Sequence, residues 1–185
     1  MKKVLILYGT RYGTTRDTSE KICDFLMKKE IEVSLMDIAE EQENQIPTLN
    51  EFEGVLIGTG IKITMWTKKI KKFTKKHLKE LEKRNFKFGF FVCCGTASKK
   101  EKINEAKASY IDKKMGKIGL TYDIADAFGA IYDFSETSLL SNMTKKMIKS
   151  GLIKEEGWEC VEDKLYDLRD LGQIQKYAED FAALL

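Results

Sequence analysis

Short, unbroken apolar runs that stop at glycine recur along this chain, and they restrict its fold more than any other feature. Val4-Leu5-Ile6-Leu7-Tyr8 closes at Gly9, Gly54-Val55-Leu56-Ile57 runs into Gly58-Thr59-Gly60, and Phe86 to Val92 leads into Cys93-Cys94-Gly95. A strand with water on one face alternates polar and apolar residues. A strand that is apolar throughout must be covered on both faces, as strands of a parallel sheet are. Between these runs the period changes. Thr18, Ile22, Phe25 and Leu26 share one side of a helix predicted over 14–29, with Lys21, Asp24 and Lys28 opposite.

The remaining elements fill out the pattern. Residues 31–36 alternate and predict a second strand, and 38–50 read as a poor helix or loop around Pro47. Residues 65–84 predict one lysine-dense helix with Ile70, Phe73, His77 and Leu81 inward, and 99–115 a further helix. Residues 120–132 predict a fifth strand ending in Phe128-Gly129-Ala130-Ile131-Tyr132, followed by a basic helix over about 136–150 and a last helix from Leu171 to Leu184. Strands alternating with helices in this way specify an α/β, doubly wound parallel sheet with right-handed crossovers and helices on both faces. With 185 residues the chain is expected to form one domain spanning 1–185, with a basic insertion at about 133–165.

Several classes are excluded. Ten Phe, seven Tyr and two Trp are too much apolar matter for a disordered chain. No run approaches the ~20 apolar residues of a membrane-spanning helix, and the run after Met1-Lys2-Lys3 is too short for a signal peptide. The cysteines, Cys23, Cys93, Cys94 and Cys160, are sparse and form no C-x-x-C pair. A reducing, cytoplasmic setting is therefore expected. A net charge of +3 is too small to indicate a nucleic-acid partner, although residues 62–87 carry ten Lys and one Arg. With a single His and no ligand cluster, no metal site is expected.

In doubly wound sheets, ligands bind beyond the carboxyl ends of the strands, near the switch in strand order. Three such exits are rich in Gly and Thr: 9–15, 58–62 and 93–98. The first, Gly9-Thr10-Arg11-Tyr12-Gly13-Thr14-Thr15, opens a helix whose free N–H groups and positive dipole end favour a phosphate. The hydroxyls of Thr10, Thr14 and Thr15 can add hydrogen bonds, and Gly13 lets the backbone curl around an anion. Neither G-x-x-x-x-G-K-[ST] nor G-x-G-x-x-G occurs, which argues against a nucleoside-triphosphate loop and a dinucleotide fingerprint. A threonine-rich helix cap is the plainer alternative.

On these residues the chain resembles the flavodoxin family, whose first loop reads T/S-x-T-G-x-T and holds the phosphate of FMN. Thr10, Gly13 and Thr15 match, and Tyr12 replaces the middle Thr. The resemblance implies a sheet in the order 2-1-3-4-5. It is nearest to the flavodoxin-like, menaquinone-dependent protoporphyrinogen oxidases, with an S-T-R-x-G-x-T opening, a G-x-x-I-[KR] second loop (here Gly58-Thr59-Gly60-Ile61-Lys62) and a basic insertion. Carried over by position, the resemblance implies that Thr10, Arg11, Tyr12, Gly13, Thr14 and Thr15 meet the FMN phosphate. Thr59, Gly60, Ile61 and Lys62 would border the isoalloxazine, and Cys94, Gly95, Thr96 and Ala97 would form a third loop. Trp66 is read either as a cover for one face of the ring or as a core residue. The third loop has no Tyr or Trp, so one ring face is expected to stay open.

Flavin would carry the redox chemistry, so no protein residue is expected to be catalytic in its own right. The resemblance implies an oxidoreductase that passes electrons to a redox partner protein or a quinone and takes hydrogen from a porphyrinogen. A soluble carrier without its own substrate, and a non-redox interaction domain, are the alternatives. Leu139, Leu140, Met143, Met147 and Ile148 share one side of a basic helix, so 138–153 either covers the sheet or makes peripheral contact at the inner face of a membrane. Cys93 and Cys94 are read as small strand fillers ahead of a redox pair, and His77 as a packed residue. The Lys68–Lys79 lysines read as a solvated face, with electrostatic docking to an acidic partner or anionic lipid as the alternative.

Overall fold

A computed structural model describes residues 1–39, 45–156 and 164–185, with only the backbone described over 152–156. Five strands, β1 (Lys3–Gly9), β2 (Glu32–Asp37), β3 (Gly54–Gly60), β4 (Lys87–Cys93) and β5 (Ile124–Phe128), form a parallel sheet. Their order is 2-1-3-4-5, as the resemblance implies. The three apolar runs are its central strands, and their residues are nearly all buried. Alternate residues feed two cores. Leu5, Leu7, Val55, Ile57, Phe88 and Phe90 face the layer of α2 (Lys68–Lys76), α3 (Leu78–Glu82), α4 (Ile103–Lys107) and α5 (Lys113–Ile118). Val4, Ile6, Leu56, Phe91 and Phe128 face α1 (Thr14–Met27) and α7 (Leu171–Leu184).

Cross-strand pairs fit large residues beside absent side chains. Gly58 lies opposite Phe91 in the β3–β4 register, and a Cβ on it would stand 2.2 Å from the Phe91 ring. That ring packs on Phe128 and Tyr177 at centroid distances of 5.8 and 6.1 Å, joining β4, β5 and α7.

The structure departs from the sequence reading in four places. The helix expected over 65–84 is broken at His77, whose ring stacks on Phe73 at 4.3 Å and whose Nδ1 lies 2.9 Å from Glu80 Oε2. The seven lysines from Lys68 to Lys79 are exposed, as a solvated face requires. The helix expected over 99–115 begins with 3-10 turns, and a π-helical turn, Ala108–Asp112, joins α4 to α5. The fifth strand stops at Phe128. A Cβ at Gly129 would lie 2.2 Å from the Leu168 carbonyl oxygen, so the returning chain crosses where the strand would continue.

Residues 131–133 instead form β6 (Ile131–Asp133), which pairs antiparallel with β7 (Leu165–Asp167) in a separate two-stranded sheet. The basic helix starts later than expected, as α6 (Asn142–Glu156). Parts of three readings, the loop over 38–50, the insertion over 133–165 and Cys160, fall on residues 40–44 or 157–163 and lie outside the described residues.

Candidate functional site

All five strands of the main sheet point the same way, so the segments after β1, β3, β4 and β5 meet at one edge, across the switch between β1 and β3. They enclose a cavity of about 200 Å3. Thr10, Arg11, Tyr12, Thr14 and Thr15 line it from the first segment, Gly60 to Ile63 from the second, and Cys93 to Gly95 from the third. The segment after β5, through Ala130 to Tyr132, and the insertion that follows it, through Leu140, Thr144, Met147 and Ile148, supply the remaining wall.

Gly13 precedes α1 at φ +92°, a left-handed conformation that glycine adopts without a Cβ penalty. Its N–H donates to Thr10 Oγ1 at 3.0 Å, and the first helical bond runs from the Asp17 N–H to the Gly13 carbonyl at 3.0 Å. Among the described residues no side chain caps the helix. The amides of Thr14 and Thr15 therefore remain the donors of an open helix start, on residues that line the cavity.

The three hydroxyls have separate duties. Thr10 Oγ1 accepts a hydrogen bond and keeps its own proton for another acceptor. Thr14 Oγ1 accepts from the Ile131 N–H at 3.2 Å and lies 3.4 Å from the Ile131 carbonyl oxygen, tying the first loop to the insertion. Thr15 is buried beneath Gly60.

Arg11 turns away from the helix start. Its guanidinium donates to the carbonyls of Gly60 at 3.1 Å, Met65 at 3.4 Å and Trp66 at 3.0 Å, and burial lowers its pKa. The second loop that it grips is a two-residue turn, with Lys62 and Met65 exchanging backbone bonds at 3.1 and 3.0 Å. Ile63 and Thr64 sit at its tip with φ of +47° and +62°, which is strained for β-branched residues. The Lys62 ammonium donates to the Tyr12 hydroxyl, and chiefly for that reason the Tyr12 pKa falls below the usual phenol value.

Five expected contacts do not line the cavity: Gly13, which shapes the turn before α1, and four others. Trp66 is core: its ring lies 4.7 Å from that of Phe90, and its Nε1 donates to the Tyr110 carbonyl, within the π-helical turn, at 2.7 Å. Thr59 is fully buried, and its Oγ1 accepts from the Thr67 N–H at 3.0 Å. Thr96 pairs with the Tyr110 hydroxyl at 3.4 Å, and Ala97 packs inward. Conversely, Tyr132 was not expected. It brings an aromatic ring to the third loop, its hydroxyl 2.3 Å from where a Cβ on Gly95 would stand. The third loop thus gains a neighbouring ring that its own sequence lacks.

Cys93 and Cys94 are buried, and burial pushes their pKa values up to about 12 and about 11. Both are protonated near neutrality, which fits strand filler and not a reactive pair. Among the described residues no group of His, Cys, Asp or Glu could hold a metal ion.

The model of the family described as Flavodoxin domain matches residues 5–156. The chain belongs to this family. Flavodoxin 1 from Bacillus cereus, in its oxidised form, is similar at 13% identity and a TM-score of 0.60, covering 100% of this chain and 99% of its own. A flavodoxin from the domain Archaea follows at 14% identity, 98% and 97% coverage and a TM-score of 0.57. Rubredoxin:oxygen oxidoreductase from Desulfovibrio gigas matches 99% of this chain with 37% of its own length, at 14% identity and a TM-score of 0.54. Identities this low establish the fold and leave the ligand to be argued from the site. No curated protein matches the sequence.

Proposed function

We propose that the cavity binds FMN and that the protein transfers electrons through it. The open start of α1 behind left-handed Gly13, at the strand-order switch of a flavodoxin-family sheet, carries this reading. The Thr14 and Thr15 amides and the Thr10 hydroxyl suit a phosphate. Gly60, Ile61, Lys62, Cys94 and Gly95 offer backbone and apolar surface to a ring, and Tyr132 adds an aromatic neighbour. When bound, FMN supplies one- and two-electron chemistry. The chain's own residues anchor the phosphate, hold the ring and limit water, and none is required to act as a nucleophile.

The finer reading is an enzyme of a single domain that oxidises a porphyrinogen and delivers the electrons to a quinone. The insertion supports it by supplying an apolar wall, Leu140, Met147 and Ile148, and by leaving Leu139, Met143 and Met147 exposed on a basic segment. An apolar substrate carrying carboxylates matches that mixture, with Lys62 as a carboxylate partner. The same segment, 138–153, would rest on a membrane surface from the cytoplasmic side. No helix among the described residues is long and apolar enough to cross a membrane.

Fluorescence titration of the apoprotein with FMN tests the first reading. Binding is expected, and Thr10→Ala, which removes the hydroxyl that can donate to the phosphate, weakens it roughly 3- to 10-fold, the effect of one or two lost hydrogen bonds. Colourless protein that ignores excess FMN refutes the reading. Anaerobic turnover of the holoprotein with protoporphyrinogen and a quinone, with and without anionic vesicles, tests the second. Reversible flavin reduction with no porphyrin product would assign a carrier instead.

A further inference from the structure

The sequence position of Arg11, within a loop that favours phosphate, suggests a phosphate ligand, but its hydrogen bonds point elsewhere. All three run to carbonyls at the end of β3 and in the segment that leads to α2, those of Gly60, Met65 and Trp66, some 49 to 55 residues away in sequence. Gly60 lies before the Ile63–Thr64 turn, and Met65 and Trp66 lie after it. The guanidinium therefore closes the base of the turn from outside, where the turn's own closure is only the Lys62–Met65 pair.

Such a closure has work to do here. Two-residue turns with both tip residues left-handed favour Asn-Gly, and β-branched residues pay a steric penalty in that conformation. Ile63 is nonetheless held over the cavity it lines, with 79% of its surface exposed, so little packing fixes it. A planar guanidinium has five donors in a fixed fork and can meet several carbonyls at once, which a lysine ammonium on a flexible stem does not reproduce. No carboxylate among the described residues pairs with Arg11, so its donors are committed to these carbonyls.

We propose that Arg11 is a positioning residue that fixes the second loop, and with it the Ile63 wall, against the phosphate loop, so that it governs binding of the flavin ring and not of the phosphate. The proposal rests on the FMN reading for its ligand. Riboflavin, which carries the same ring without the phosphate, separates the two roles.

The experiment measures FMN and riboflavin affinity for the wild type, Arg11→Gln and Arg11→Lys, together with amide exchange over 61–66 in the ligand-free proteins. Both variants are expected to lose about tenfold in affinity for each ligand, leaving the FMN-to-riboflavin ratio unchanged, and to exchange faster over 61–66. Thr10→Ala serves as the contrast, because losing the hydroxyl that can donate to the phosphate should lower FMN affinity more than riboflavin affinity. Loss of FMN affinity with riboflavin binding intact would make Arg11 a phosphate ligand and overturn the proposal. Full recovery in Arg11→Lys would also overturn it, because charge alone would then suffice. If the wild type binds neither ligand, the FMN reading fails, and exchange over 61–66 decides this one: unchanged protection in both variants refutes it.

Discussion

The two walls of the cavity are built differently. The wall formed by the first, second and third loops grows from β1, β3 and β4, whose central residues are buried on both faces and paired along their length. The wall formed by the insertion rests on two three-residue strands, and α6 exposes Met143 and Met147. Its internal packing is local: Phe134 meets Tyr166 edge-on at 5.9 Å, and the Lys149 ammonium lies 5.2 Å from the Phe134 ring centre. The sheet-borne wall therefore has the whole core behind it, whereas the insertion can open at a cost below that of global unfolding. A cavity of about 200 Å3 is smaller than the roughly 300–1,000 Å3 usual for ligand sites, so a wall that yields also suits entry.

The largest expected effect breaks the rigid side. Phe91→Ala empties the space between Gly58, Phe128 and Tyr177, and should lower global stability by about 3–5 kcal/mol in urea unfolding. The counterpart in the insertion is Phe134→Ala. Phe134 is also buried, at 4% exposure, yet its loss should change global stability by less than about 1 kcal/mol while speeding amide exchange across 131–151. Equal losses at the two positions would mean that insertion and sheet unfold as one unit, and the contrast between the walls would be wrong.

The same contrast explains what could be read from the sequence. Strands β1, β3 and β4 were legible because burial on two faces leaves a continuous apolar run, and the uncapped start of α1 because Gly13 and its neighbouring threonines act within one turn of backbone. The insertion was not legible in the same way. Leu165-Tyr166-Asp167 has too few residues for periodicity, and its partner strand lies more than thirty positions earlier. The end of β5 is set by the Leu168 carbonyl, a contact invisible from Gly129 alone. Long-range contacts also decided the individual side chains. Arg11 is aimed by carbonyls of the second loop, Trp66 is drawn inward by Phe90 and Tyr110, and Tyr132 reaches the third loop through a separate sheet. An aromatic residue just past the last strand of the main sheet was the one available signal for Tyr132.

A smaller effect concerns the clasp between the walls. Arg169, its side chain only 2% exposed, meets Asp167 of β7 at 2.7 Å, and its Nη1 reaches Asp17 and Thr18 of α1. The bond to Arg169 is the chief reason that the Asp167 pKa lies below the usual carboxyl value. With the folded pKa depressed, the contribution is present above the ordinary value of about 4 and is lost as pH falls through the folded one. Amide exchange of the insertion should therefore quicken, relative to the sheet, on acidification from pH 5 to 3. Asp167→Asn should already exchange faster at pH 5 and lose this part of the acid response. An unchanged acid response in the variant would remove Asp167 from the clasp.

The smallest effect lies on the rigid wall and is one of reactivity. Cys93 and Cys94 both line the cavity, so a redox role would require thiolates there. With burial pushing the pKa values up to about 11 and about 12, both residues stay protonated at pH 8. Steric burial slows attack further. Iodoacetamide at pH 8 should leave both residues unmodified in the native protein and modify both in urea, as read by peptide mass spectrometry. The comparison sharpens if Phe134→Ala is labelled in parallel. Opening the insertion uncovers the cavity without loosening β4, so Cys93, screened by Thr18 at 3.5 Å, should stay protected even when Cys94 begins to react. Rapid labelling of both thiols in that variant would show that the strand end depends on the insertion for its order.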